Sequence, residues 1–411
     1  MRTKILLYLA LAAAPVMCGQ EQAELRENPR MESAKRENFV APAVEYPSYV
    51  KTSANHIDLH GHDWSGLAAR LRGADSVRVN IVHIGDSHLQ ADMGTAVTRT
   101  LLGQHYGSAG RGLIVPFKLA GTNEPVDYVI TSETPMAQGR LLKQPWGTRM
   151  GFTGIGICPD ADEVTFEISA REPFDSIAIY YTGDDPEVLA PAPGCKGCDG
   201  IISFALPTDT AAVVTLALAA TERPTFHGIN LVNGEAGVAY HVIGNNGATY
   251  GTYNMIPGFA DDIARFEPAL LIVSLGTNEA YNNVTDEEFK QEMRTLLTDL
   301  RRSCPDSEIL LTTPSECQRK IVRRRRRRKI TTYAVNRDVK RMRDLILEVA
   351  AEEQLPVYDF YQVAGGQGTS DKWLADQYLN RDRIHMTRAG YTLQGHLFTE
   401  ALEAAFDSYK N

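Results

Sequence analysis

The chain has 411 residues, a formal net charge of −9 and 43% hydrophobic residues. It is long enough to bury two cores, and no apolar run beyond the N-terminal segment is long enough for a transmembrane helix. The chain has no basic run interleaved with aromatic residues and no recognisable nucleic-acid-binding motif, which argues against a protein that binds nucleic acid.

The N-terminus has the pattern of a secretory signal. Residues 1–4 include the basic Arg2 and Lys4, and the apolar run over residues 5–16 is too short to span a bilayer. We therefore predict a signal peptide over residues 1–19 and an exported protein, in the periplasm or at the cell surface. Cys18 leaves a lipid-anchored form open, although Met17 stands where a small residue usually precedes a lipid-modified cysteine.

The next segment is predicted to be a tether. Residues 20–50 are rich in Glu, Arg, Asn and Pro and have little apolar periodicity, which favours a flexible linker. Beyond it, Trp64, Leu67 and Leu71 recur at helical spacing, which predicts a short scaffold helix over residues 63–72. Ordered structure is therefore expected in the part of the chain from residue 51 onward.

An apolar, β-branched run over residues 79–84 ends abruptly in Gly85-Asp86-Ser87, and a helical pattern follows. A serine at the first turn after a buried strand has its hydroxyl at the carboxyl edge of a parallel sheet, where open α/β folds bind ligands. Its amide N–H also lies near the positive end of a helix. The same tripeptide is common in ordinary strand-to-helix turns, in which Gly gives backbone freedom and Asp or Ser caps the helix. Ser87 is thus a candidate nucleophile that depends on partners elsewhere.

A nucleophilic serine needs a base and a group that orients the base. Near the C-terminus, Asp382 precedes His385 by three residues, so that one loop carries both side chains. This loop lies just before a helix that Thr387 is placed to cap. Asp382 and His385 are therefore the candidate orienter and base.

An oxyanion hole requires hydrogen-bond donors beside the nucleophile. The apolar strand predicted over residues 270–275 is followed by a Gly-Thr-Asn turn, so the Asn278 amide can reach the same sheet edge as Ser87. The segment over residues 244–251, Gly-Asn-Asn-Gly-Ala-Thr-Tyr-Gly, offers a glycine whose backbone N–H is a further candidate donor.

With these blocks the chain resembles the SGNH (GDSL-type) hydrolases, which are named for a Ser, a Gly, an Asn and a His in four separated blocks. The blocks occur in the family's order: Ser87 in Gly-Asp-Ser-His, Gly247 in Asn-Asn-Gly-Ala, Asn278 in Gly-Thr-Asn-Glu, and Asp382 with His385 in Asp-Arg-Ile-His. The resemblance implies a serine esterase in which Ser87 attacks the ester, His385 transfers the proton and Asp382 orients His385. It also implies an oxyanion hole built from Ser87, Gly247 and Asn278, and no cofactor.

Two finer points follow from the same resemblance. Gly251 also fits the family's glycine spacing, and Gly247 is preferred because it lies closer to the strand end. The segment Gly-Asp-Ser-His-Leu-Gln-Ala-Asp and the long interval before the second block are most similar to bacterial peptidoglycan O-acetylesterases, which implies O-acetylated cell-wall glycan as substrate. An acetylesterase for another polysaccharide and a non-catalytic glycan-binding surface protein are the alternatives.

The middle of the chain differs from its flanks. Short β-type runs between Pro, Gly and Asp clusters, typical of antiparallel sandwich strands, occupy residues 148–157, 164–168, 177–182, 201–205, 213–218 and 239–243. Helices and strands then alternate over residues 256–265, 270–275, 287–302, 309–313, 338–353 and 357–360.

We therefore predict an SGNH-hydrolase-like α/β fold, a doubly wound parallel sheet with an inserted antiparallel β-sandwich. The hydrolase domain is discontinuous, over residues 51–111 and 242–411, and the insert covers residues 112–241. The resemblance implies an insert similar to a carbohydrate-binding module. Tyr180 and Tyr181 are its candidate polymer contacts if they are exposed.

Other side chains are candidates for the same site. Asp359 also follows a buried strand and is the alternative orienter, although a strand-end aspartate is more often a loop cap. His83, Asp86 and His88 are the candidate metal ligands. Because the chain lacks the His-Glu-x-x-His helix typical of a zinc hydrolase, no metal site is expected.

The cysteines suggest disulfide chemistry. Cys195 and Cys198 lie in a Pro/Gly-rich loop of the predicted insert. In an exported protein this spacing favours a short-loop disulfide over a zinc site, which one such pair cannot fill. Cys304 and Cys317 flank a strand and can pair only if the fold brings them within bonding distance.

The run that begins at Arg323 and ends at Lys329 reverses the charge of the chain locally. It carries seven positive charges, so the rest of the chain sums to −16. One interpretation is a solvated loop between the strand that ends at residue 313 and the helix that begins at residue 338. The other is attraction to an anionic polymer, such as a cell-surface glycan or lipid phosphate.

Overall fold

A computed structural model describes residues 41–207, 211–234, 236–325 and 328–409. The predicted signal peptide over residues 1–19, Cys18 and most of the predicted linker lie outside these described residues. Within them, no helix combines the length and the apolar character that crossing a bilayer requires.

The strands in chain order are β1 (Ile57–Asp58), β2 (Arg78–Gly85), β3 (Gly112–Ile114), β4 (Tyr128–Thr131), β5 (Met136–Arg140), β6 (Ile155–Pro159), β7 (Glu163–Phe174), β8 (Ser176–Thr182), β9 (Glu187–Ala190), β10 (Ile201–Ala205), β11 (Ala211–Ala219), β12 (Thr225–Val232), β13 (Gly237–Gly244), β14 (Leu270–Ser274), β15 (Glu308–Thr312), β16 (Gln318–Arg325), β17 (Arg328–Val335) and β18 (Val357–Tyr358).

The α-helices in chain order are α1 (Ser65–Arg72), α2 (Ser87–Gln90), α3 (Met93–Tyr106), α4 (Tyr250–Asn254), α5 (Phe259–Ala264), α6 (Asp286–Ser303), α7 (Arg337–Glu352), α8 (Phe360–Val363), α9 (Ser370–Ala375) and α10 (Arg388–Asp407). Single 3₁₀ turns lie at Thr52–Ala54 and Glu279–Tyr281.

A largely parallel sheet with helices on both faces forms the centre of the fold. Its strand order is β1-β18-β15-β14-β2-β13, and each pairing is parallel except that of β1 with β18. Val82 and Ile84 of β2 belong to the core that includes α6 and α7, whereas Val79 and Ile81 belong to the core that includes α1 and α10. Burial on both faces is what a doubly wound sheet requires, so this part of the predicted fold class is confirmed.

Two antiparallel sheets face each other between α3 and β13. One has the order β10-β8-β12-β6-β5, with β3 also paired to β12, and the other has the order β4-β7-β11-β9. Their inner faces share an apolar layer, in which the rings of Phe166 and Phe226 meet edge to face at 5.6 Å. This layer is continuous with the core on one face of the parallel sheet. The inserted antiparallel sandwich is therefore present, and it shares its core with the α/β part.

Two local predictions are wrong, and the condition set for a third is not met. Residues 239–243, grouped with the sandwich strands, lie in β13 and pair in parallel with β2, because a strand buried on both faces also has a continuous apolar run. The described residues of the run from Arg323 to Lys329 lie in the antiparallel pair β16 and β17, where a solvated loop was predicted. Tyr180 and Tyr181 are only 5% and 3% exposed, so neither is available to contact a polymer.

The described cysteines form no disulfide, which also differs from the prediction. Backbone hydrogen bonds of 3.0 and 3.2 Å between Cys198 and Ile201 close the turn where a Cys195–Cys198 bridge was expected. Cys304 and Cys317 are buried, and burial raises the pKa of each thiol to about 11. These two thiols are therefore protonated near neutral pH.

A buried network of two aspartates and two arginines connects the α/β part to the sandwich. Arg99 and Arg111 both donate to Asp92 Oδ2, at 2.7 and 2.5 Å. Arg111 Nε also donates to Asp127 Oδ2 at 2.9 Å, just before β4. Because Asp92 lies between α2 and α3 and is almost fully buried, the network ties the turn that carries Ser87 to the start of the sandwich.

We expect Asp92→Asn to lower the free energy of unfolding by about 3–5 kcal/mol, because it leaves two buried guanidinium groups with one carboxylate. Urea unfolding at neutral pH measures the change. Asp160→Asn is the matched control, since Asp160 pairs with Arg223 on the surface and its loss should cost at most about 1 kcal/mol. Equal, small effects of the two substitutions would show that the buried network does not hold the parts together.

Three buried histidines lie in the strands around the junction. Burial lowers the pKa of His83 and of His241 to about 3, and that of His227 to about 4. The partners of His241 fit a neutral ring: the Leu113 N–H donates to Nδ1 at 3.2 Å, which leaves Nε2 to donate to Asn80 Oδ1 at 3.2 Å.

Acid is therefore expected to weaken the fold in the range where histidine titrates. Below about pH 6.5 the unfolded chain binds protons that the buried rings do not accept, so each ring lowers the unfolding free energy by up to about 1.4 kcal/mol per pH unit. Urea unfolding between about pH 7.5 and about pH 5.5 gives the slope, which His241→Asn should reduce by one proton. His56→Asn, at an exposed position, should leave it unchanged. A wild-type slope in H241N would contradict a neutral His241.

Candidate active site

Gly85, Asp86 and Ser87 turn the chain from β2 into α2. A Cβ at Gly85 would lie 2.7 Å from Ser274 O, so only glycine fits against β14 here. The buried Asp86 side chain accepts the N–H of His88 at 2.9 Å and caps α2. Ser87, the first residue of α2, is partly exposed at the carboxyl edge of the sheet, where the sequence predicts it.

Ser87, His385 and Asp382 form a continuous hydrogen-bonded chain. Ser87 Oγ lies 2.8 Å from His385 Nε2, and His385 Nδ1 lies 2.8 Å from Asp382 Oδ2. Asp382 Oδ1 accepts the backbone N–H of Ile384 at 2.9 Å and that of His385 at 3.1 Å. Partial burial alone would raise the pKa of Asp382, but these N–H groups and the imidazole hold it below its usual range. An ionised Asp382 keeps the proton of His385 on Nδ1, so Nε2 faces the serine as an acceptor.

The loop that carries Asp382 and His385 is closed by its own hydrogen bonds. The Asn380 N–H donates to His385 O at 2.8 Å, and Asn380 Nδ2 donates to Met386 O at 2.9 Å. Thr387 then caps α10, as the sequence predicts. The base is therefore held by a short, hydrogen-bonded turn at the start of a long helix.

Asp359, the alternative orienter, is engaged elsewhere. It pairs with Arg343 Nε at 3.1 Å, accepts the Thr313 hydroxyl at 2.8 Å and caps α8. These contacts give Asp359 the role of a loop cap, and the carboxylate in contact with His385 is that of Asp382.

The three predicted oxyanion donors follow the ends of three adjacent strands. β13, β2 and β14 are paired in register, with the last residues of β13 and β14 both opposite Gly85. The loops that carry Gly247, Ser87 and Asn278 therefore leave the same edge of the sheet. In the part of the chain that the structure describes, the backbone N–H groups of Ser87 and Gly247 donate to no other residue.

The Asn278 amide connects two of these loops. Its Nδ2 donates to Ala248 O at 2.9 Å and to Asp86 Oδ2 at 3.3 Å. The second bond is at the long end of the normal range, and it is the one that an oxyanion can replace. Asn278 thus also positions the glycine loop against the turn that carries Ser87.

The two candidate glycines differ in their surroundings. Gly251 lies inside α4, where a Cβ would be 2.5 Å from Glu292 Oε1, so close packing of α4 on α6 accounts for this glycine. Gly247 lies in the turn before α4 with φ +85°, a conformation that side chains rarely adopt. A Cβ at Gly247 would also be 2.6 Å from Leu142 Cδ1.

The sandwich supplies part of the rim, which the sequence analysis did not identify. Gln90 accepts the Asn246 N–H at 2.7 Å and donates to Asn123 O at 2.8 Å. Asn246 Nδ2 also donates to Asn123 Oδ1 at 2.7 Å, and the exposed Leu142 borders Gly247. Asn123 and Leu142 lie in sandwich loops, so one side of the site depends on the insert. The only sequence signal was the Gln in the segment that follows Ser87.

His88 lies beside the triad. Its Nδ1 is 3.0 Å from the Tyr391 hydroxyl, and its ring centroid is 5.2 Å from that of His385. Burial lowers the pKa of His88, so a neutral ring packs against the base. Among the described residues, no group of three or more His, Cys, Asp or Glu side chains could hold a metal ion.

Comparisons with known proteins agree with this architecture. Residues 221–393 match the GDSL-like Lipase/Acylhydrolase family, and this span contains Gly247, Asn278, Asp382 and His385. No curated protein matches the sequence. In fold, the chain is similar to a solved structure of a peptidoglycan O-acetylesterase, with a TM-score of 0.69 and 18% identity over 88% of this chain and 98% of that one.

Other solved esterases match a smaller part of the chain. A lipase/acylhydrolase from Enterococcus faecalis has a TM-score of 0.31 and 21% identity over 41% of this chain and 77% of that one. An acetyl xylan esterase has a TM-score of 0.32 and 16% identity over 40% of this chain and 81% of that one.

The family match over residues 221–393 and the α/β fold together support an enzyme that hydrolyses acyl esters. The match over residues 221–393 and the shared fold support the SGNH (GDSL-type) hydrolase superfamily, which the sequence predicts. At 18% identity, the likeness to the peptidoglycan O-acetylesterase shows a shared fold and does not by itself identify the substrate of this chain.

Proposed function

We propose that the protein is an exported serine esterase that removes O-acetyl groups from a polysaccharide, with peptidoglycan as the substrate. The hydrogen-bonded chain of Ser87, His385 and Asp382 at the edge of the sheet carries this proposal. A protein that only binds glycan has no use for a serine aligned with an oriented histidine beside unpaired N–H groups. Export rests on the basic and apolar pattern of residues 1–16.

In the proposed reaction, Ser87 Oγ attacks the acetyl carbonyl carbon while His385 Nε2 takes the hydroxyl proton. Asp382 stabilises the imidazolium, and the N–H groups of Ser87 and Gly247 together with Asn278 Nδ2 donate to the oxyanion. The bond to the sugar oxygen then breaks, and that oxygen takes the proton from His385. Water attacks the acetyl-serine with His385 as base, which releases acetate and restores Ser87.

The choice of substrate is supported by the extent of the likeness. The similarity to the peptidoglycan O-acetylesterase covers 88% of this chain, so it includes the sandwich as well as the α/β part. Asn123 and Leu142 bring sandwich loops to the rim of the site, where a polymer would pass. We propose on this basis that the sandwich acts as a glycan-binding module.

The substrate is tested by comparing acetate release from purified cell walls and from acetylated xylan, with walls freed of acetyl groups by mild base as the blank. Faster release from walls is expected. Faster release from xylan would overturn peptidoglycan as the substrate and favour an acetylesterase for another polysaccharide. Release from neither polymer, with no hydrolysis of 4-nitrophenyl acetate, would overturn the esterase proposal.

Ser87→Ala should reduce hydrolysis of 4-nitrophenyl acetate by roughly 10⁴-fold or more while the melting temperature stays unchanged, because the hydroxyl lies at a sheet edge and not in the core. His385→Ala should be comparably severe, and Asp382→Ala milder, because it leaves base and nucleophile in place. Ser76→Ala, at an exposed serine, is the matched control. Wild-type turnover by S87A would refute the assignment.

Asn278→Ala should lower kcat by roughly 10²–10³-fold with little change in KM, because its amide donates to charge that develops only in the transition state. Steady-state kinetics with 4-nitrophenyl acetate separates the two constants, and Asn283→Ala, at a nearby exposed position, is the control. If only KM changes, Asn278 binds substrate instead. An equal loss accompanied by a lower melting temperature would assign it to positioning the glycine loop.

A further inference from the structure

The most basic part of the chain forms a separate ribbon. Strands β16 and β17 pair with each other in antiparallel register, from Gln318 opposite Val335 to Arg325 opposite Arg328. Among the described strands, they pair with none of those in the parallel sheet or in the two sheets of the sandwich. Residues 318–335 contain nine Lys or Arg and no acidic residue, in a chain of net charge −9, so the remainder carries −18. We call the pair of strands β16 and β17 the basic ribbon.

Both faces of the basic ribbon are exposed and charged. Cross-strand partners share a face and neighbours along a strand alternate. Arg324 and Lys329 therefore lie on the face of Val322, whereas Arg323 lies on the opposite face with Ile330. Val322 is 45% and Ile330 44% exposed, one on each face. An element that lies in a membrane surface has an apolar face and a separate charged face. The ribbon has charged and apolar side chains on both faces, which argues against a membrane surface as its partner.

The base of the basic ribbon is bound to the loop that carries Asp382 and His385. The Gln318 N–H donates to Arg383 O at 2.9 Å, and Arg383 donates from its guanidinium to Gln318 Oε1 at 2.6 Å. The same guanidinium lies over the ring of Tyr333 at 4.2 Å. Arg383 directly follows Asp382, so the ribbon starts at the rim of the site. Arg323 lies five residues along β16 from Gln318, about 17 Å at the usual strand rise.

The charges of the ribbon repel one another unless something anionic lies between them. Among the described contacts, Arg319 pairs with Asp338 at 3.3 Å, near the base of the ribbon. The exposed side chains of Arg323, Arg324 and Lys329 have no ion pair with any described acid. A two-stranded ribbon is only marginally stable alone, and repulsion between like charges destabilises it further. We therefore expect an anionic partner outside the ribbon to offset this repulsion.

We propose that the basic ribbon holds an anionic glycan beside the active site, by pairing with carboxylates on peptide side chains of the wall polymer. This inference rests on the proposed function, because the polymer it holds is the one whose acetyl esters enter the site. Arginine suits the task, since its guanidinium forms two parallel hydrogen bonds with a carboxylate. An uncharged acetylated polysaccharide has no carboxylate that can pair with the arginines, so the ribbon contributes specificity for the charged polymer.

The test is a triple variant, Arg323→Gln/Arg324→Gln/Lys329→Gln, compared with Arg70→Gln/Arg72→Gln/Arg302→Gln. The control removes the same charge from exposed arginines at the ends of α1 and α6. Rates are measured on soluble acetylated wall glycan with its peptides, on the same glycan after an amidase has removed the peptides, and on 4-nitrophenyl acetate.

On the peptide-bearing glycan we expect kcat/KM of the ribbon variant to fall by roughly 10-fold, mainly through KM, because three exposed charge pairs are lost. Added salt should lower the wild-type rate and affect the variant less. The peptide-free glycan and 4-nitrophenyl acetate should show no difference, and the control variant should match wild type throughout. Equal losses with and without the peptides, or no loss at all, would overturn the proposal.

Binding separates this inference from the proposed function. If wild type hydrolyses 4-nitrophenyl acetate but releases no acetate from walls, the substrate proposal fails. Co-sedimentation with walls, with or without their peptides, then still tests the ribbon: peptide-dependent binding that R323Q/R324Q/K329Q loses supports it, and its absence overturns it. Ribbon-dependent binding to phosphatidylglycerol vesicles without binding to walls would overturn it in favour of a lipid surface.

Discussion

The site depends on the parallel pairing of β2 with β13 on one side and β14 on the other. Parallel strands that end opposite one another bring their following loops to one edge, and here those loops carry Ser87, Gly247 and Asn278. A hydrogen bond also holds the end of β2 in place, since the Tyr253 hydroxyl donates to Gly85 O at 2.6 Å. A shift by one residue would turn the buried face of a strand outward, so the same apolar burial that stabilises the sheet also fixes the site.

The side chains at this edge are held in place by hydrogen bonds within the protein itself. Asn278 already spans from Ala248 to Asp86, and His385 is held between Asp382 and Ser87. Donors and acceptors that are placed in advance need no reorganisation when charge develops, which is the main physical advantage of such sites. The rigidity comes from hydrogen bonds across loops that are distant in sequence, and the sandwich contributes some of them.

Much of this was predictable, for identifiable reasons. Helices α6 and α7 begin and end within one residue of their predicted bounds, because each has a strong apolar periodicity and a clear start signal. The fold class and the superfamily follow from four short motifs. The catalytic roles stay predictions, although Ser87, Asp382 and His385 lie within hydrogen-bond distance of one another.

What the sequence did not predict depends on tertiary contacts. β13 has the same apolar run as a sandwich strand, and only its pairing with β2 distinguishes the two. The arginine run has low strand propensity and many charges, so nothing local indicated a paired ribbon. Gln90 and Asn123 lie in different parts of the chain, and no sequence motif links them, so their contact was not predictable.

The buried charges around Asp92 have a consequence for the way the molecule unfolds. Separating the sandwich from the α/β part would break the ion pairs that cross the junction, Arg111 with Asp92 and Arg99 with Asp127, so partial opening there is costly. Because the two parts share both a core and a charge network, we expect them to unfold as one cooperative unit and to lose protection against hydrogen exchange together. The insert is thus an integral component of the hydrolase, which constrains how freely it can be exchanged or deleted in evolution.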